Sequence, residues 1–315
     1  MTFRAALAGA LVLAVAVTAP ARAAPIPAAF AELQALDARV QSVGWKLAHG
    51  NARFCREVLP GIGLQLQDVA NFSDPAAVRA ALGLSGEIAV EAVAEGSPAA
   101  RAGLAANDTL SAVAGIDVSA LPQAKPGDYA RLVGLHDRID AALRTDGRVE
   151  LVGAGKALTL AGEPVCATRF EMLSGGQRAA ADGRRVVIGR KLVETLPEDE
   201  LLAAALAHEL AHNVLGHRAR LDASGRAWSK VKATEREADR LMPWLLVNAG
   251  YDPEAALRFF GRWGPANDYG IFSSPDHDRP KTRARRIAAE IATMRAVLGA
   301  DGRADWARDF KTLGG

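Results

Sequence analysis

Residues 208–212 read His-Glu-Leu-Ala-His, inside a run from Asp199 to Leu215 that is rich in Ala, Leu and Glu. These residue types favour a helix, and residues four apart lie on the same helical face. His208 and His212 can therefore bind one zinc ion together. Glu209 lies about 100° further round the helix, where it reaches a water on the ion rather than the ion itself.

The residues ahead of this run have the pattern of a helix start. Thr195 is a candidate cap, Pro197 an early helical proline, and Glu198 follows the cap by three positions. The alternative to a metal site is a buried helix with two structural histidines. Two buried imidazoles need polar partners, and a shared metal ion supplies one.

A zinc site of this kind needs a third protein ligand. A metzincin would have a third histidine at position 218, where this chain has Arg218. His217 follows His208 by nine positions, or about 900° of helical rotation, which predicts that it faces the opposite side. The third ligand is therefore expected from a second segment of the chain.

Glu235 is the best candidate for that ligand, and Asp239 lies four residues further along the same helical face. One of the two acids can bind zinc while the other orients a ligand imidazole, and we assign Glu235 to the metal and Asp239 to the orienting role. The alternative is a solvated helix face on which the acids pair with Arg236 and Arg240. For Glu237 we favour that alternative.

The combination of these motifs resembles the gluzincin metallopeptidases of the HtpX, BepA and Oma type. His208-Glu209-x-x-His212, Glu235-x-x-Ala238-Asp239 and residues 249–253, Ala-Gly-Tyr-Asp-Pro, carry the resemblance, which covers roughly residues 167–298. Residues 181–189 resemble the hairpin that precedes the zinc helix in that family, which implies an edge strand beside the active-site cleft.

The resemblance implies a zinc-dependent endopeptidase with one Zn²⁺ per chain, held by His208, His212 and Glu235. Glu209 would act as general base and return the proton to the leaving amine. Family members carry a His-Pro pair after the second helix, whereas this chain reads Ser-Ser-Pro-Asp-His-Asp-Arg-Pro over residues 273–280. Either His277 takes that catalytic role from a shifted position or another group does; His277 or Tyr251 is the candidate donor to the oxyanion.

The first 23 residues have the pattern of a secretory signal peptide. A short basic start precedes the apolar run from Ala5 to Val17, and Ala21-Arg22-Ala23 is a small-x-small cleavage pattern. No other stretch is long and apolar enough to span a membrane, so no transmembrane span is expected in the mature chain. The sequence predicts a periplasmic or otherwise exported, soluble protein.

The two cysteines agree with export. Cys55 and Cys166 are 111 residues apart and belong to no Cys-x-x-Cys pair. An oxidising compartment favours a disulfide between them, and two free buried thiols are the alternative.

The stretch between the cysteines resembles a PDZ domain. The carriers of this resemblance are the strand pattern over residues 87–93, the Ser-Pro-Ala-x-x-Ala-Gly-Leu core over 97–104, and a groove helix from Tyr129 to Arg144. The loop formed by Gly61, Ile62, Gly63 and Leu64 would bind a peptide C-terminus through backbone N–H groups. The alternative is a structural module whose groove is blocked.

The expected fold class is α+β: a β-rich PDZ-like module and then a mainly helical zincin domain, of minigluzincin type, with a short edge hairpin. The predicted segments are a signal peptide over 1–23, an N-terminal helix over 24–54, the PDZ-like domain over 55–166 and the metallopeptidase domain over 167–315. With 38 basic and 36 acidic residues, no nucleic-acid partner is expected. The basic helix from Lys281 to Leu298, with Arg283, Arg285 and Arg286, is read as a solvated face.

The sequence thus favours an exported zinc metalloendopeptidase acting on polypeptides, captured or gated through their C-terminal tails by the PDZ-like module. A role in envelope protein quality control follows from the resemblance alone. A second hypothesis is a PDZ-bearing periplasmic chaperone with a latent or structural zinc site, against which Glu209 argues, since a structural site needs no base. A hydrolase of small molecules is disfavoured because it has no use for a PDZ module.

Overall fold

The computed structural model describes residues 27–263 and 278–313, so the predicted signal peptide and His277 lie outside the described residues. Strands are concentrated before Gly189 and helices after it, which confirms the α+β class. The strands are β1 Val58–Gly61, β2 Leu64–Asp68, β3 Ile88–Val93, β4 Leu110–Val113, β5 Ile116–Asp117, β6 Arg148–Gly153, β7 Lys156–Ala161, β8 Glu163–Cys166, β9 Arg169–Leu173, β10 Ala179–Ala181 and β11 Arg185–Gly189. The helices are α1 Ala28–Asn51, α2 Pro75–Leu82, α3 Pro98–Arg101, α4 Ala130–Asp146, α5 Arg190–Thr195, α6 Asp199–Val214, α7 His217–Ser224, α8 Trp228–Asn248, α9 Ala255–Trp263, α10 Pro280–Arg295 and α11 Trp306–Asp309.

The strands β1 to β8 and helix α4 form a module with a hydrophobic core of its own. Its sheets are the pairs β1–β8 and β2–β3 and the four-stranded sheet β5-β4-β6-β7. Leu66 and Val90 from the β2–β3 pair, Leu151 from β6, and Leu135 and Ile139 from α4 meet in that core. The predicted groove helix is therefore present as α4, and β6 packs in the same core.

Outside this module, a three-stranded sheet of order β10-β11-β9 lies directly before the zinc-motif helix. The predicted hairpin is confirmed as the antiparallel pair β10–β11. Strand β9 adds to it in parallel with β11, which the sequence reading did not anticipate. Because β11 leads into α5 and then α6, this sheet fixes where the zinc-motif helix begins.

Helix α1 precedes the β-rich module in the chain and packs into the larger core, with α6, α8 and β9, while it also contacts β3 and β8 of the module. Two glycines allow this close approach. A Cβ on Gly44 would come within 2.4 Å of the Phe170 ring, and one on Gly50 within 2.5 Å of the backbone oxygen of Asn248. The predicted boundaries over 24–54, 55–166 and 167–315 stay a prediction, to which this packing adds that α1 shares a core with the segment after residue 166.

Helix α6 is apolar on nearly all sides and is enclosed by α1, α8, α9 and the β10-β11-β9 sheet. The predicted Thr195 cap is wrong: Thr195 ends α5, and its hydroxyl donates to the carbonyl of Leu192. Pro197 disfavours helical backbone at Leu196, so α6 starts only after Glu198. Among the described helices, none is both long and apolar enough to cross a membrane.

Candidate metal centre

The structure brings three of the predicted site residues together where α6 crosses α8. His208 and His212 lie on one face of α6, and Glu235 approaches from α8. The Nε2 atoms of the two imidazoles are 3.3 Å apart. Oε2 of Glu235 lies 3.2 Å from Nε2 of His208, and Oε1 lies 3.5 Å from Nε2 of His212. Among the described residues, these three form the cluster able to hold a metal ion.

These distances fit a zinc ion. Two ligand atoms at zinc–nitrogen distances in a tetrahedral arrangement stand about 3.4 Å apart. The separation of 3.3 Å between the two imidazole nitrogens and the separations of 3.2 and 3.5 Å from these nitrogens to the two oxygens of Glu235 lie near that value. Two neutral imidazoles and one carboxylate are also a donor set that zinc accepts, with a fourth position left for water or substrate.

The electrostatics of the cluster favour a positive charge between its members. Burial opposes ionisation of Glu235, but the neighbouring imidazoles of His212 and His208 outweigh it and hold its pKa well below the usual value. Burial likewise lowers the pKa of His208, but Asp239 and Glu235 outweigh it and raise that pKa to about 10. The carboxylates thus attract a cation to the imidazole nitrogens, whether a proton or a metal ion.

Glu209 is buried beside the cluster, with only 5 % of its surface exposed. Burial raises its pKa, and the imidazoles of His208 and His212 oppose that rise. A carboxylate whose pKa is raised above its usual range is a better proton acceptor near neutral pH than an exposed one. Its position next to His208 is the one expected of a general base.

Asp239 stands behind His208 on the side away from Glu235. Its Oδ1 lies 3.2 Å from Nδ1 of His208. The guanidinium of Arg283 on α10 makes a two-pronged contact with the same carboxylate, with Nε 2.7 Å from Oδ2. Burial raises the pKa of Asp239, but Arg283 and His208 outweigh it and lower that pKa. This arrangement allows Asp239 to orient the His208 ring, and that role stays a prediction.

Arg283 corrects the reading of α10 as a solvated basic face. Its side chain is only 2 % exposed, and its guanidinium lies 4.3 Å from the centre of the Phe260 ring. Arg285, two positions on, is exposed as predicted. The sequence pattern shows that the helix is basic but does not reveal that one arginine meets a buried carboxylate.

The prediction that His217 faces the opposite side of the helix from His208 is wrong. Helix α6 ends at Val214, and Gly216, with φ of 63°, reverses the chain so that His217 begins α7. Nδ1 of His217 then lies 2.9 Å from Nδ1 of His212. The signal in the sequence was Gly216, a residue typical of a helix end, after which counting rotation along α6 no longer applies.

Glu237 is likewise not on a solvated face. It is fully buried, and its Oε2 lies 3.0 Å from Nε2 of His217 and also contacts Arg220. Its Oε1 accepts a hydrogen bond of 2.6 Å from the backbone N–H of Leu313. Burial raises the pKa of Glu237, but these donors outweigh it and lower the pKa to about 2. Arg236 and Arg240, its predicted partners, instead pair with Asp278 and Glu290.

The two candidate oxyanion donors stand differently, and the role of His277 stays a prediction. His277 lies outside the described residues. The phenol of Tyr251 faces acidic groups that include Asp199, and burial and those charges raise its pKa. Asp199 begins α6, roughly 13 Å along the helix axis from His208. Tyr251 therefore does not serve the metal cluster directly.

The predicted carboxylate-binding loop lies between β1 and β2. The carbonyl oxygens of Ile62 and Gly63 accept hydrogen bonds from the backbone of Ala99 and Ala94, so they point into the module. Gly63 has φ of +66°, which a glycine adopts without strain, and the loop leads into Leu64 at the start of β2.

One backbone amide on the side of β2 that faces α4 already has a partner. The N–H of Leu66 points to Nε2 of His136 on α4 at 3.4 Å. Burial, with a smaller contribution from Arg169, lowers the pKa of His136 to about 4, so the ring is neutral and can accept.

Cys55 and Cys166 form a disulfide whose Cα atoms are 5.5 Å apart. The adjoining strands β1 and β8 pair with Val58 opposite Cys166, so the two ends of the β-rich module lie side by side. The predicted pairing of the two cysteines is thus present, at the base of the module.

Comparisons with known proteins agree with this description of the two parts. Residues 89–137 match the model of the PDZ domain, and residues 178–231, which include His208, Glu209 and His212, match the model of peptidase family M48. A search of curated proteins found no match for the chain. The two family matches confirm the resemblance seen in the sequence. The chain is consistent with an M48-family metallopeptidase that carries a PDZ domain.

Proposed function

We propose that this protein is an exported, zinc-dependent metalloendopeptidase that hydrolyses internal peptide bonds of polypeptides. The observation that supports it most is the convergence of His208 Nε2, His212 Nε2 and Glu235 at separations typical of tetrahedral zinc ligands. The match to peptidase family M48 supports the reaction class. One zinc ion per chain is proposed, because these three residues form one cluster.

Each residue of the cluster has a defined part in the proposed reaction. A bound zinc ion would polarise the scissile carbonyl and lower the pKa of a water molecule. His208, His212 and Glu235 would hold the ion, and Asp239 would fix the orientation of the His208 ring. The carboxylate of Glu209 takes the proton from the attacking water and passes it to the nitrogen of the leaving amine.

The hairpin beside α6 is the proposed place where a substrate backbone binds. Strand β10 forms one edge of its sheet, and an extended peptide can add to such an edge through main-chain hydrogen bonds. Asn213, the neighbour of His212, accepts from the N–H of Gly183 at 2.7 Å and donates to the carbonyl of Arg185 at 3.2 Å. These bonds fix the hairpin relative to the proposed zinc ligands.

We further propose that the PDZ module binds or gates polypeptide substrates through their C-terminal tails, and that the protein works in an oxidising, periplasmic compartment. The disulfide between Cys55 and Cys166 supports the compartment. The proposed role in envelope protein quality control rests on family resemblance alone.

The test is cleavage of an unfolded protein such as casein by the full chain, combined with elemental analysis of zinc. We expect one zinc per chain, inhibition by a chelator and recovery with added zinc. Glu209→Gln should keep the zinc and lose at least about 100-fold in turnover, since general-base catalysis contributes that much. Glu200→Gln, at the exposed start of α6, is the matched control.

Two results would contradict the proposal. Full turnover by Glu209→Gln would remove Glu209 from the mechanism. Stoichiometric zinc without any peptide cleavage by the wild-type chain would instead point to a binding protein with a latent metal site.

A further inference from the structure

His208 contacts Asp239 and, through it, Arg283; a second series of contacts begins at His212 and extends away from the metal cluster. Nδ1 of His212 lies 2.9 Å from Nδ1 of His217, and Nε2 of His217 lies 3.0 Å from Oε2 of Glu237. His217 is 1 % exposed and Glu237 is fully buried. We propose that His217 is a positioning residue for the metal centre, which accepts a hydrogen bond from His212 and thereby holds Nε2 of His212 toward the ion.

The proposal rests on the proposed zinc function and on a count of donors and acceptors. An imidazole that offers one nitrogen to a metal carries its proton on the other. Nε2 of His212 faces His208 and Glu235, so its Nδ1 must be the donor. The facing Nδ1 of His217 must then be the acceptor, which leaves the proton of His217 on Nε2, opposite the Glu237 carboxylate. Each of these nitrogens then has one partner of the right kind.

The far end of this chain of contacts is fixed. Oε2 of Glu237 also receives the guanidinium of Arg220, and its Oε1 accepts the backbone N–H of Leu313 at 2.6 Å. A carboxylate with these donors stays ionised and cannot turn easily, so it determines which nitrogen of His217 carries the proton. The tautomer of His212 is thus set from Glu237, through the intervening ring.

The two histidine ligands are therefore supported in different ways. His208 faces the Asp239 carboxylate directly, and that carboxylate is held by Arg283. His212 reaches its carboxylate, Glu237, only through the neutral ring of His217, which it meets edge-on with ring centres 4.8 Å apart. Loss of His217 would leave a partly buried N–H on His212 without this acceptor, which costs free energy and frees the ring to turn.

The alternative is that His217 only ties α7 to α8 through Glu237. Two substitutions separate the two roles because each keeps one contact. In His217→Asn, the amide oxygen stands near the position of Nδ1 and accepts from His212 but does not reach Glu237. In His217→Gln, the amide extends toward Glu237 but offers no acceptor at the position of Nδ1.

Zinc affinity of the full chain, measured by competition with a chromophoric chelator, is the readout, with thermal unfolding of the metal-free forms alongside. We expect His217→Gln to bind zinc about 10- to 100-fold more weakly than wild type, the usual effect of removing a partner of a metal ligand, and His217→Asn to stay within a few-fold. Equal losses in both variants, or wild-type affinity in His217→Gln, would overturn the proposal. Failure of the wild-type chain to bind zinc would overturn the proposed function instead.

A measurement on the unsubstituted protein covers the case in which the variants do not fold. The chain has 6 histidines, so selective ¹⁵N labelling of histidine gives a spectrum simple enough to assign. In the zinc-loaded protein we expect His217 to be protonated on Nε2 and not on Nδ1. A proton on Nδ1 of His217 would exclude the hydrogen bond on which the proposal depends.

Discussion

Arg283 donates from Nε to Oδ2 of Asp239 across 2.7 Å, and both side chains are buried. The same carboxylate lies 3.2 Å from Nδ1 of His208. Helix α10 is thereby connected to a proposed zinc ligand, although its arginines resemble a surface pattern in the sequence.

Replacing Arg283 should harm both stability and metal binding. Arg283→Ala leaves a buried carboxylate without its cation, which typically costs about 3–5 kcal/mol of unfolding free energy. Urea unfolding measures this loss, and chelator competition should show weaker zinc binding because Asp239 no longer holds His208. Arg285→Ala, on the exposed side of α10, is the control and should change neither quantity. Unchanged stability in Arg283→Ala would show that the pair contributes little to folding.

Glu235→Ala should abolish stoichiometric zinc. It removes one of three ligands, and the two remaining imidazoles alone hold zinc poorly. Elemental analysis after dialysis measures the metal content, with Glu200→Ala, half-exposed at the start of α6, as the control. If Glu235→Ala retained one zinc per chain, the third ligand would have to come from elsewhere.

Stability should fall as the pH rises because of a carboxyl pair between α1 and β3. Burial raises the pKa of Asp37 to about 7, against a smaller opposing contact with Glu91, and burial together with Asp37 raises that of Glu91 to about 8. In the unfolded chain both titrate near about 4, so the folded state holds more protons between about pH 4 and 8. The stabilisation is complete below pH 4 and is lost as the pH rises through 7 and 8.

Glu91→Gln tests this pH dependence, because glutamine cannot acquire a charge. The variant should gain melting temperature relative to wild type at pH 8 and less, or none, at pH 5. Glu95→Gln, exposed just beyond the end of β3, is the control. A constant difference between Glu91→Gln and wild type across this range would contradict the prediction.

His136 should compete with peptides for the edge of β2. It accepts from the N–H of Leu66, which an added strand would need. His136→Ala should tighten binding of a peptide with a free C-terminal carboxylate by about two- to tenfold, the range of one hydrogen bond. Fluorescence anisotropy measures the affinity, and Arg138→Ala and an amidated peptide are the controls. Weaker binding in His136→Ala would mean that the ring contacts the peptide.

Removal of the disulfide should destabilise the chain. The bridge closes a segment of 111 residues, and loss of a native disulfide typically costs about 2–5 kcal/mol. We expect Cys55→Ala/Cys166→Ala to unfold at lower urea concentration than the oxidised wild type, and thiol titration of the unreduced wild type to detect no free cysteine.

The sequence predicted the parts of the site that depend on local spacing. The positions of His208 and His212 follow from one helical turn, and Glu235 with Asp239 from another. The sequence did not predict the burial of residues whose exposure depends on how the helices pack. Glu237 and Arg283 look like surface charges in their own helices, and each is buried only because another segment, α7 or α8, covers it.

The failure at His217 has a different cause. Helix α6 ends at Val214, so helical rotation does not predict the direction of His217, and Gly216 turns the chain back toward His212. The Thr195 cap failed for a similar reason, because Pro197 separates α5 from α6. The sequence patterns therefore predict the interiors of these helices better than their ends.

The packing of α1 beside α6 puts a helix that precedes the β-rich module into the same core as the helices that follow the module. The larger core draws mainly on α1 and on the chain from Cys166 onward, and the Cα atoms of Cys55 and Cys166 stand 5.5 Å apart. Such a gap is spanned by one or two peptide units of about 3.8 Å each. Cutting out the PDZ module would accordingly keep the order of the core helices but uncover the side of α1 that contacts β3 and β8, whereas trimming the chain from its amino end would remove α1 from the core before it reached the module.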